Sequence, residues 1–285
     1  MQSWKIGKVT VTKIVEMEVP GGTRFILPDA TKEACLPMKW MMPHFMTPEG
    51  RLIMSIHALV IETPDRKIVV DTCIGNDKKR RIPAWTDLSL PFLEDMAKAG
   101  YPVDSIDTVM CTHLHVDHVG WNTRLEGGKW VPTFENARYL MASPEFEYWR
   151  DQDDDEDAQD IFADSVKPVF DAGLVDFVTT THQICPEVRL LPTHGHTPGH
   201  CSVLIESEGE QAMITGDFVH HPCQMGRIDW CSSADYDQKA GMETRRRVFE
   251  QFADTPTLII GTHFAGATAG HLKRDGDAYR LDALD

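Results

Sequence analysis

Short apolar runs rich in β-branched residues recur along the chain, and polar or glycine-containing turns separate them. Runs of this length and composition predict β-strands, at residues 9–15, 56–63, 67–71, 107–112, 137–141, 188–191, 202–206, 212–215 and 257–261. Helical periodicity predicts helices between some of them, at residues 90–99, 144–150, 160–172 and about 238–253. Strands in hairpin-like groups with interspersed helices indicate an α/β chain with two sheets and helices outside them.

The segment from about residue 18 to residue 52 fits neither pattern. It contains an apolar, methionine-rich stretch around Trp40, and its prolines exclude a long helix. Two interpretations are open. The stretch packs into the core or an oligomer contact, because methionine fills irregular gaps, or it forms a wall over an active site.

Composition narrows the classes of protein to consider. The chain has 285 residues, 42% of them hydrophobic and 25% charged, which is ordinary for a soluble globular protein. A formal net charge of -16 argues against nucleic-acid binding, which depends on clustered Lys and Arg. We therefore expect a small-molecule partner and no nucleic-acid partner, with a homodimer as the assembly left open.

Location is predicted from what the sequence lacks. No segment approaches the 18 or so apolar residues of a membrane span, and the amino terminus has no continuous apolar core of the signal-peptide kind. Seven dispersed cysteines without a C-x-x-C pair are typical of reduced thiols. These observations predict a soluble, cytoplasmic protein that does not bind membranes.

One short segment concentrates side chains that bind metal ions. His113, His115, Asp117 and His118 occur in the order H-x-H-x-D-H, directly after a predicted strand. If the chain stays extended beyond that strand, His113 and His115 project to the same side and can meet one ion. Asp117 and His118 follow near Gly120, which allows a turn that aims them at a second point. The loop therefore predicts ligands for two metals.

Three later positions add ligand-type side chains beside predicted strands. The segment 193–200 reads T-H-G-H-T-P-G-H, and we favour His200 as the ligand and His196 as a supporting residue. Asp217 follows the strand at 212–215, and its carboxylate can bridge two cations. His263 follows the strand at 257–261. Imidazole and carboxylate ligands without thiolate suit Zn²⁺, and also Mn²⁺, Fe²⁺ or Co²⁺.

The order and spacing of these residues resemble those of metallo-β-lactamase-fold hydrolases, and the resemblance spans most of the chain. It implies a four-layer αβ/βα sandwich, taken here as a single domain over residues 1–285. It also implies two divalent ions. The implied roles are one ion at His113, His115 and His200, the other at Asp117, His118 and His263, Asp217 as the bridge, and Asp71 as a supporting residue.

Such a centre implies hydrolysis. A hydroxide shared by two cations forms near neutral pH and attacks a carbonyl or phosphoryl centre, while a metal stabilises the oxyanion. Asp117 is the candidate to carry a proton to the leaving group, and His220 is a candidate to bond a carbonyl oxygen or the leaving group. Trp121, Trp40 and Phe264 are the candidates for contact with an apolar substrate, and for Trp121 a place in the core is an open alternative.

The motifs T-H-L-H-x-D-H-x-G, G-H-T-P-G-H and T-G-D are most similar to the branch that holds N-acyl-homoserine lactonases and methyl-parathion-type hydrolases. Two positions depart from it. Trp121 stands where many relatives have a second glycine, and His220 stands where one group of homoserine lactonases has a tyrosine. We therefore predict a hydrolase of small esters or lactones.

Two alternatives remain beside that prediction: hydrolysis of phosphotriesters, and a metal-binding protein without catalytic turnover.

The basic run at residues 245–247 lies in a predicted helix and is expected to be a solvated face.

Overall fold

The structure is a computed structural model that describes residues 2–152 and 154–284. Its backbone contacts divide the chain into two compact units, each described here by itself. One comprises Met1–Glu16 and Ile56–Thr179, and the other comprises Met17–Ser55 and Thr180–Asp285.

The regular elements are given in chain order. The strands are β1 (Ser3–Ile6), β2 (Val9–Pro20), β3 (Ile53–Glu62), β4 (Lys67–Val70), β5 (Thr108–Met110), β6 (Thr123–Glu126), β7 (Lys129–Pro132), β8 (Arg138–Ala142), β9 (Val175–Val178), β10 (Gln183–Cys185), β11 (Val188–Pro192), β12 (Cys201–Ser207), β13 (Glu210–Ile214), β14 (Leu258–Ile260), β15 (Ala269–Asp275) and β16 (Ala278–Ala283). The α-helices are α1 (Lys32–Cys35), α2 (Phe92–Lys98), α3 (Val116–Val119), α4 (Ser143–Arg150), α5 (Glu156–Ile161), α6 (Lys167–Asp171), α7 (Cys223–Gly226) and α8 (Gln238–Phe252). Short 3-10 helices lie at Thr23–Phe25, Lys39–Met41, Pro83–Trp85, Val103–Ser105, Gly120–Asn122 and Gly216–Phe218, and a π-helix lies at Phe162–Val166.

The first unit is built on a seven-stranded sheet in the order β1-β2-β3-β4-β5-β8-β9. From β4 to β9 its neighbours run parallel. Strands β4, β5 and β8 are apolar and almost wholly buried, as strands covered on both faces must be. Because β4 and β5 are parallel, the segments that follow them leave the sheet at the same edge.

The second unit is also built on a seven-stranded sheet, in the order β10-β11-β12-β13-β14-β15-β16. Its neighbours are antiparallel except β13 and β14, which run parallel. The last residues of β13 and β14 are buried, and the chain beyond each emerges at one edge. In both units, therefore, a parallel pair places two following loops side by side.

The methionine-rich stretch contributes to the core of the second unit. Met41, Phe45 and Met46 are fully buried in one apolar cluster with residues of β12 to β16, α7 and α8, and Trp40 is half-buried against it. This burial confirms the packing interpretation of the stretch. The proposed wall over an active site stays a prediction.

The strand predictions are confirmed at all nine positions, with ends that differ by a few residues. The helix predicted at 160–172 begins earlier, at Glu156, and passes through the π-helix before α6. Strands β1, β6, β7, β9, β10, β15 and β16 were not predicted, because they are short or carry many polar residues. Within the described residues, no helix is both long and apolar enough to span a bilayer.

Candidate metal centre

The H-x-H-x-D-H segment lies at the carboxyl end of β5 in the first unit. His113 is fully buried, His115 is the N-cap residue of α3, and Asp117 and His118 belong to that helix. A four-residue helix therefore turns the chain at the point where a turn was expected. The turn gives the neighbouring ligand-type side chains of this short loop different directions.

The histidines of this loop come within metal-sharing distance of one another. His113 Nε2 lies 2.9 Å from His115 Nδ1, and the rings of His113 and His118 are 4.0 Å apart at their centroids. His118 Nε2 lies 3.6 Å from a carboxylate oxygen of Asp117. The structure thus brings together the four ligands that were predicted in this loop.

Asp71 supports the loop from the end of β4. Its carboxylate accepts hydrogen bonds from Thr112 N at 2.8 Å, from Thr112 Oγ1 at 2.9 Å and from His118 Nδ1 at 2.9 Å. A donor at Nδ1 leaves the lone pair of His118 on Nε2, the tautomer that a metal-ligating histidine needs. Asp71 adopts a left-handed φ of 57°, a strained conformation for a non-glycine residue.

Gly120 is needed for a different reason from the one the sequence suggested. Its backbone is right-handed helical, so the turn itself does not require glycine. A Cβ at this position would lie 1.8 Å from the carbonyl oxygen of Ile74. Gly120 N–H also donates to Cys73 O at 2.7 Å, so the ligand helix is packed directly onto the segment after β4.

Glu145, which sequence reasoning missed, braces the same loop. Its side chain is buried and accepts hydrogen bonds from Leu114 N at 3.0 Å and Trp149 Nε1 at 2.7 Å. Trp149 packs edge-on against His115, with ring centroids 5.1 Å apart. In the sequence, Glu145 stands at the start of a predicted helix, and nothing there indicated that its side chain would reach the ligand loop.

In the second unit, three imidazoles face one carboxylate. Asp217 follows β13, and its Oδ2 lies 3.2 Å from His263 Nε2, 3.3 Å from His220 Nε2 and 3.7 Å from His196 Nε2. All four residues are no more than 4% exposed. His263 follows β14, which is parallel to β13, so the sheet topology explains why Asp217 and His263 meet.

The structure reverses the positions predicted for His196 and His200. Both ring nitrogens of His200 contact backbone: Nδ1 donates to Thr193 O at 3.0 Å, and Nε2 accepts from Asp217 N at 2.7 Å. His196 instead belongs to a group with Asp217 and His220 whose ligand atoms lie within 4.8 Å of one another. This geometry favours His196 over His200 as the ligand, a role taken up as a proposal below. The sequence could not separate them, because each directly follows a glycine in one turn.

A buried acid, Asp235, supports His196 and was also missed. Asp235 Oδ1 lies 2.9 Å from His196 Nδ1, and both side chains are at most 1% exposed. Burial raises the pKa of Asp235, while the charge of Arg245 opposes that rise. Arg245 is itself fully buried, so the prediction of a solvated basic face is wrong for this residue. It holds for Arg246 and Arg247, which are exposed.

The donor set fits a divalent cation. Burial holds the pKa of His220 well below its usual range, so its imidazole is neutral and keeps a lone pair. Among the described residues, neither ring nitrogen of His220 has a hydrogen-bond partner, although the side chain is 2% exposed. A buried imidazole without such a partner is costly unless a ligand occupies it. Nitrogen and carboxylate donors without thiolate suit zinc and similar ions.

The three residues predicted to contact substrate are placed differently. Trp121 is 5% exposed, stacks on Phe92 at 5.7 Å and donates to Glu16 Oε1 at 2.8 Å. Phe264 is fully buried beside Phe45. These contacts support a packing role for Phe264 and for Trp121, where the sequence leaves a core position open, and substrate contact by either residue stays a prediction. Trp40 is half-buried, and its contact with substrate stays a prediction.

Comparison with known families agrees with the ligand pattern. The family model of the metallo-β-lactamase superfamily matches the sequence over residues 53–263, which include every ligand candidate named above. The chain belongs to the metallo-β-lactamase superfamily. This confirms the resemblance and the α/β metallo-β-lactamase fold predicted from the motifs.

Curated relatives in this superfamily are N-acyl homoserine lactonases of Bacillus. One from a Bacillus species is 25% identical over 179 residues, which are 57% of this chain and 63% of that protein. The lactonase AiiA of Bacillus thuringiensis subsp. kurstaki is 23% identical over 182 residues, 59% of this chain and 65% of the relative. The chain therefore spans less than two thirds of the length of these relatives.

Solved structures share the fold over nearly the whole chain. AidC, a dizinc quorum-quenching lactonase in complex with a product, superposes with a TM-score of 0.82 at 18% identity, over 100% of this chain and 97% of that one. The hydrolase AbOPH superposes with a TM-score of 0.81 at 21% identity, over 99% of this chain and 97% of the other. At these identities the likeness establishes the fold.

Proposed function

We propose that this chain is a dinuclear metal-dependent hydrolase of a small ester or lactone. The observation that carries the proposal is the convergence of three buried imidazole nitrogens on the carboxylate of Asp217. A carboxylate so placed is suited to bind cations, and the superfamily match supplies the expectation of two. The Bacillus relatives named as N-acyl homoserine lactonases favour a lactone or ester over other carbonyl substrates.

The proposed ligand set is the predicted one, except that His196 replaces His200. One ion is assigned to His113, His115 and His196, and the second to Asp117, His118 and His263, with Asp217 shared between them. Support comes from the contacts within each unit and from the order of these residues in the family motif. In support of His196, His118 and His263 as ligands, the Nδ1 of each lies against an oxygen acceptor, which leaves Nε2 for the metal.

The chemistry divides between the ions and the side chains. When bound, divalent cations polarise a carbonyl oxygen and lower the pKa of water. Asp117, which is partly exposed, is proposed to carry a proton to the leaving group. His220, buried and neutral beside Asp217, is proposed to bond the carbonyl oxygen or the leaving group.

The test is a substrate panel with chelation. Purified protein is assayed on a γ-lactone, an aryl ester and paraoxon, before and after removal of metal by a chelator, and again after addition of Zn²⁺ or Mn²⁺. Lactone or ester hydrolysis should be lost on chelation and restored by metal. Activity indifferent to chelation would contradict the metal mechanism.

Substrate class is decided by the same panel. A higher kcat/KM on paraoxon than on the lactone would make phosphotriester hydrolysis the better assignment. Fully metallated protein that turns over none of the panel would instead favour a metal-binding protein without catalysis.

A further inference from the structure

Asp235 is a buried acid that the proposed chemistry does not use. It lies in the loop before α8, and its side chain is 0% exposed. One carboxylate oxygen lies 2.9 Å from His196 Nδ1, and the other accepts from Ser232 N at 2.9 Å. Because a carboxylate only accepts hydrogen bonds, His196 carries its proton on Nδ1 and its lone pair on Nε2.

Backbone hydrogen bonds join the loop of Asp235 to the loop of His196. Tyr236 N donates to His196 O at 2.9 Å, and Asp237 N donates to Gly195 O at 2.9 Å. Gly195 has a φ of 127°, and a Cβ there would lie 2.3 Å from Gly241 N in α8. The loop of His196 is therefore pressed against the start of α8, in a register that sets Asp235 opposite the imidazole.

Arg245 balances the charge of this buried acid. Its guanidinium lies 3.8 Å from Asp235 Oδ2 and donates to the carbonyl oxygens of Phe218 at 3.2 Å and Ile228 at 3.2 Å. A buried carboxylate is tolerated only where charge and hydrogen bonds compensate its lost hydration. The contact with Phe218, the residue after Asp217, also links this network to the shared carboxylate.

We propose that Asp235 is a positioning residue that fixes the ring of His196 so that Nε2 faces Asp217 and a bound metal ion. The inference rests on the proposed function, in which His196 is a ligand, but concerns a different residue and a separate property. Carboxylates that hold metal-ligating histidines set the tautomer and raise ligand basicity, and their loss costs about 10- to 100-fold in metal affinity. Arg245 supports the same arrangement through its guanidinium, which lies 3.8 Å from the acid.

The first measurement is metal affinity. Metal-free protein is titrated with Zn²⁺ against a competing chelator, and with Co²⁺ while its visible absorption is recorded. Asp235→Ala should raise the Zn²⁺ dissociation constant by about 10- to 100-fold and alter the Co²⁺ spectrum. Asp235→Asn keeps an acceptor without the charge, so its Zn²⁺ dissociation constant should lie between those of Asp235→Ala and the wild type.

Asp237→Ala is the matched control. Asp237 caps α8 by accepting from Ala240 N at 2.9 Å and lies two residues from Asp235. Loss of this cap should cost about 1 kcal/mol of stability and leave the Zn²⁺ dissociation constant unchanged. Equal loss of metal affinity in Asp235→Ala and Asp237→Ala would show that Asp235 only stabilises the fold, and would overturn the inference.

The second measurement separates this inference from the proposed function. In metal-free protein labelled with ¹⁵N, long-range spectra report the tautomer of His196, which should be Nδ1-protonated in the wild type and altered in Asp235→Ala. An altered tautomer in a protein that binds no metal would sustain the positioning role and sink the proposed function. Wild-type metal affinity together with an unchanged tautomer in Asp235→Ala would overturn the positioning role alone.

Discussion

Single oxygen atoms decide which ring nitrogen is available in three histidines of this protein. Asp71, Asp235 and the carbonyl oxygen of Ser55 face the Nδ1 atoms of His118, His196 and His263 respectively. Each oxygen accepts a hydrogen bond from Nδ1–H, so the proton stays on Nδ1 and the lone pair is on Nε2. The same reasoning argues against His200 as a ligand, since its Nε2 already accepts from the backbone at Asp217. The proposed choice of ligands thus depends on the hydrogen-bond partners of the histidines as much as on the histidines themselves.

The residue-scale prediction concerns Asp217. Asp217→Ala should lower bound metal and hydrolytic activity together, because the variant loses the carboxylate that three imidazoles face. Removal of a shared ligand is expected to reduce activity by 100-fold or more, on the order of the effect of other catalytic groups. Metal content by elemental analysis and kcat/KM on the panel are the measurements. Asp229→Ala, at an exposed acid nearby in sequence, is the control, and wild-type metal content in Asp217→Ala would refute the shared role.

At the scale of elements, a buried lysine joins three parts of the first unit. Lys78 Nζ donates to Thr123 Oγ1 at 2.8 Å at the start of β6, and lies 3.6 Å from the ring centre of Trp130 in β7. Asp164, in the π-helix, lies 3.6 Å from Lys78 and forms a paired hydrogen bond with Arg80 at 2.7 and 2.8 Å. Two cations thus share one carboxylate in a buried place, so the charge on Lys78 is only partly compensated.

The element-scale prediction follows from the ionisation of Lys78. Burial lowers the pKa of Lys78 to about 7, although Asp164 opposes that shift. Between this value and the ordinary lysine value, the unfolded chain holds a proton that the folded chain does not. The contribution of Lys78 to folding therefore becomes more favourable as pH rises through that window, by up to about 1.4 kcal/mol per pH unit.

The measurement is denaturant unfolding of wild type and Lys78→Met from pH 6.5 to 10. The stability of the wild type relative to the variant should rise with pH above about 7 and should be flat below it. Lys79→Met is the control, because the Lys79 ammonium is 78% exposed and pairs with Asp87 at the surface. A pH-independent difference for Lys78→Met would show that Lys78 keeps its proton in the folded state.

At the scale of the whole molecule, each unit presents its ligands at the ends of a parallel strand pair. In the first unit β4 and β5 lead to Asp71 and the H-x-H-x-D-H loop, and in the second β13 and β14 lead to Asp217 and His263. Parallel neighbours place their carboxyl ends together, so residues far apart in sequence meet. Each unit therefore carries proposed ligands at the ends of a parallel strand pair.

The whole-molecule prediction is a metal-dependent gain in stability in each unit. A ligand at 100 times its dissociation constant adds about 2.7 kcal/mol to the free energy of unfolding. Addition of Zn²⁺ to metal-free protein should therefore raise the Tm by several degrees and slow amide hydrogen exchange at the buried ends of both β5 and β13. No rise in Tm and no added protection at either strand end would contradict metal binding, and magnesium at equal concentration is the control for ionic strength.

Much of this protein followed from its sequence alone. The apolar runs predicted nine strands, because buried strands need apolar residues in close succession, and the histidine and aspartate motifs identified the superfamily. These features are local, since a strand or a H-x-H-x-D-H loop is specified within a few residues.

Only the tertiary structure decided the features that depend on distant contacts. The contacts of His196 and His200, the buried acids Asp235 and Glu145, and the burial of Arg245 each rest on partners that no local spacing reveals. Trp121 is the clearest case. As a residue in a motif it suggested contact with substrate, but Glu16, 105 positions away in the chain, accepts the hydrogen bond of its indole and holds it in the core.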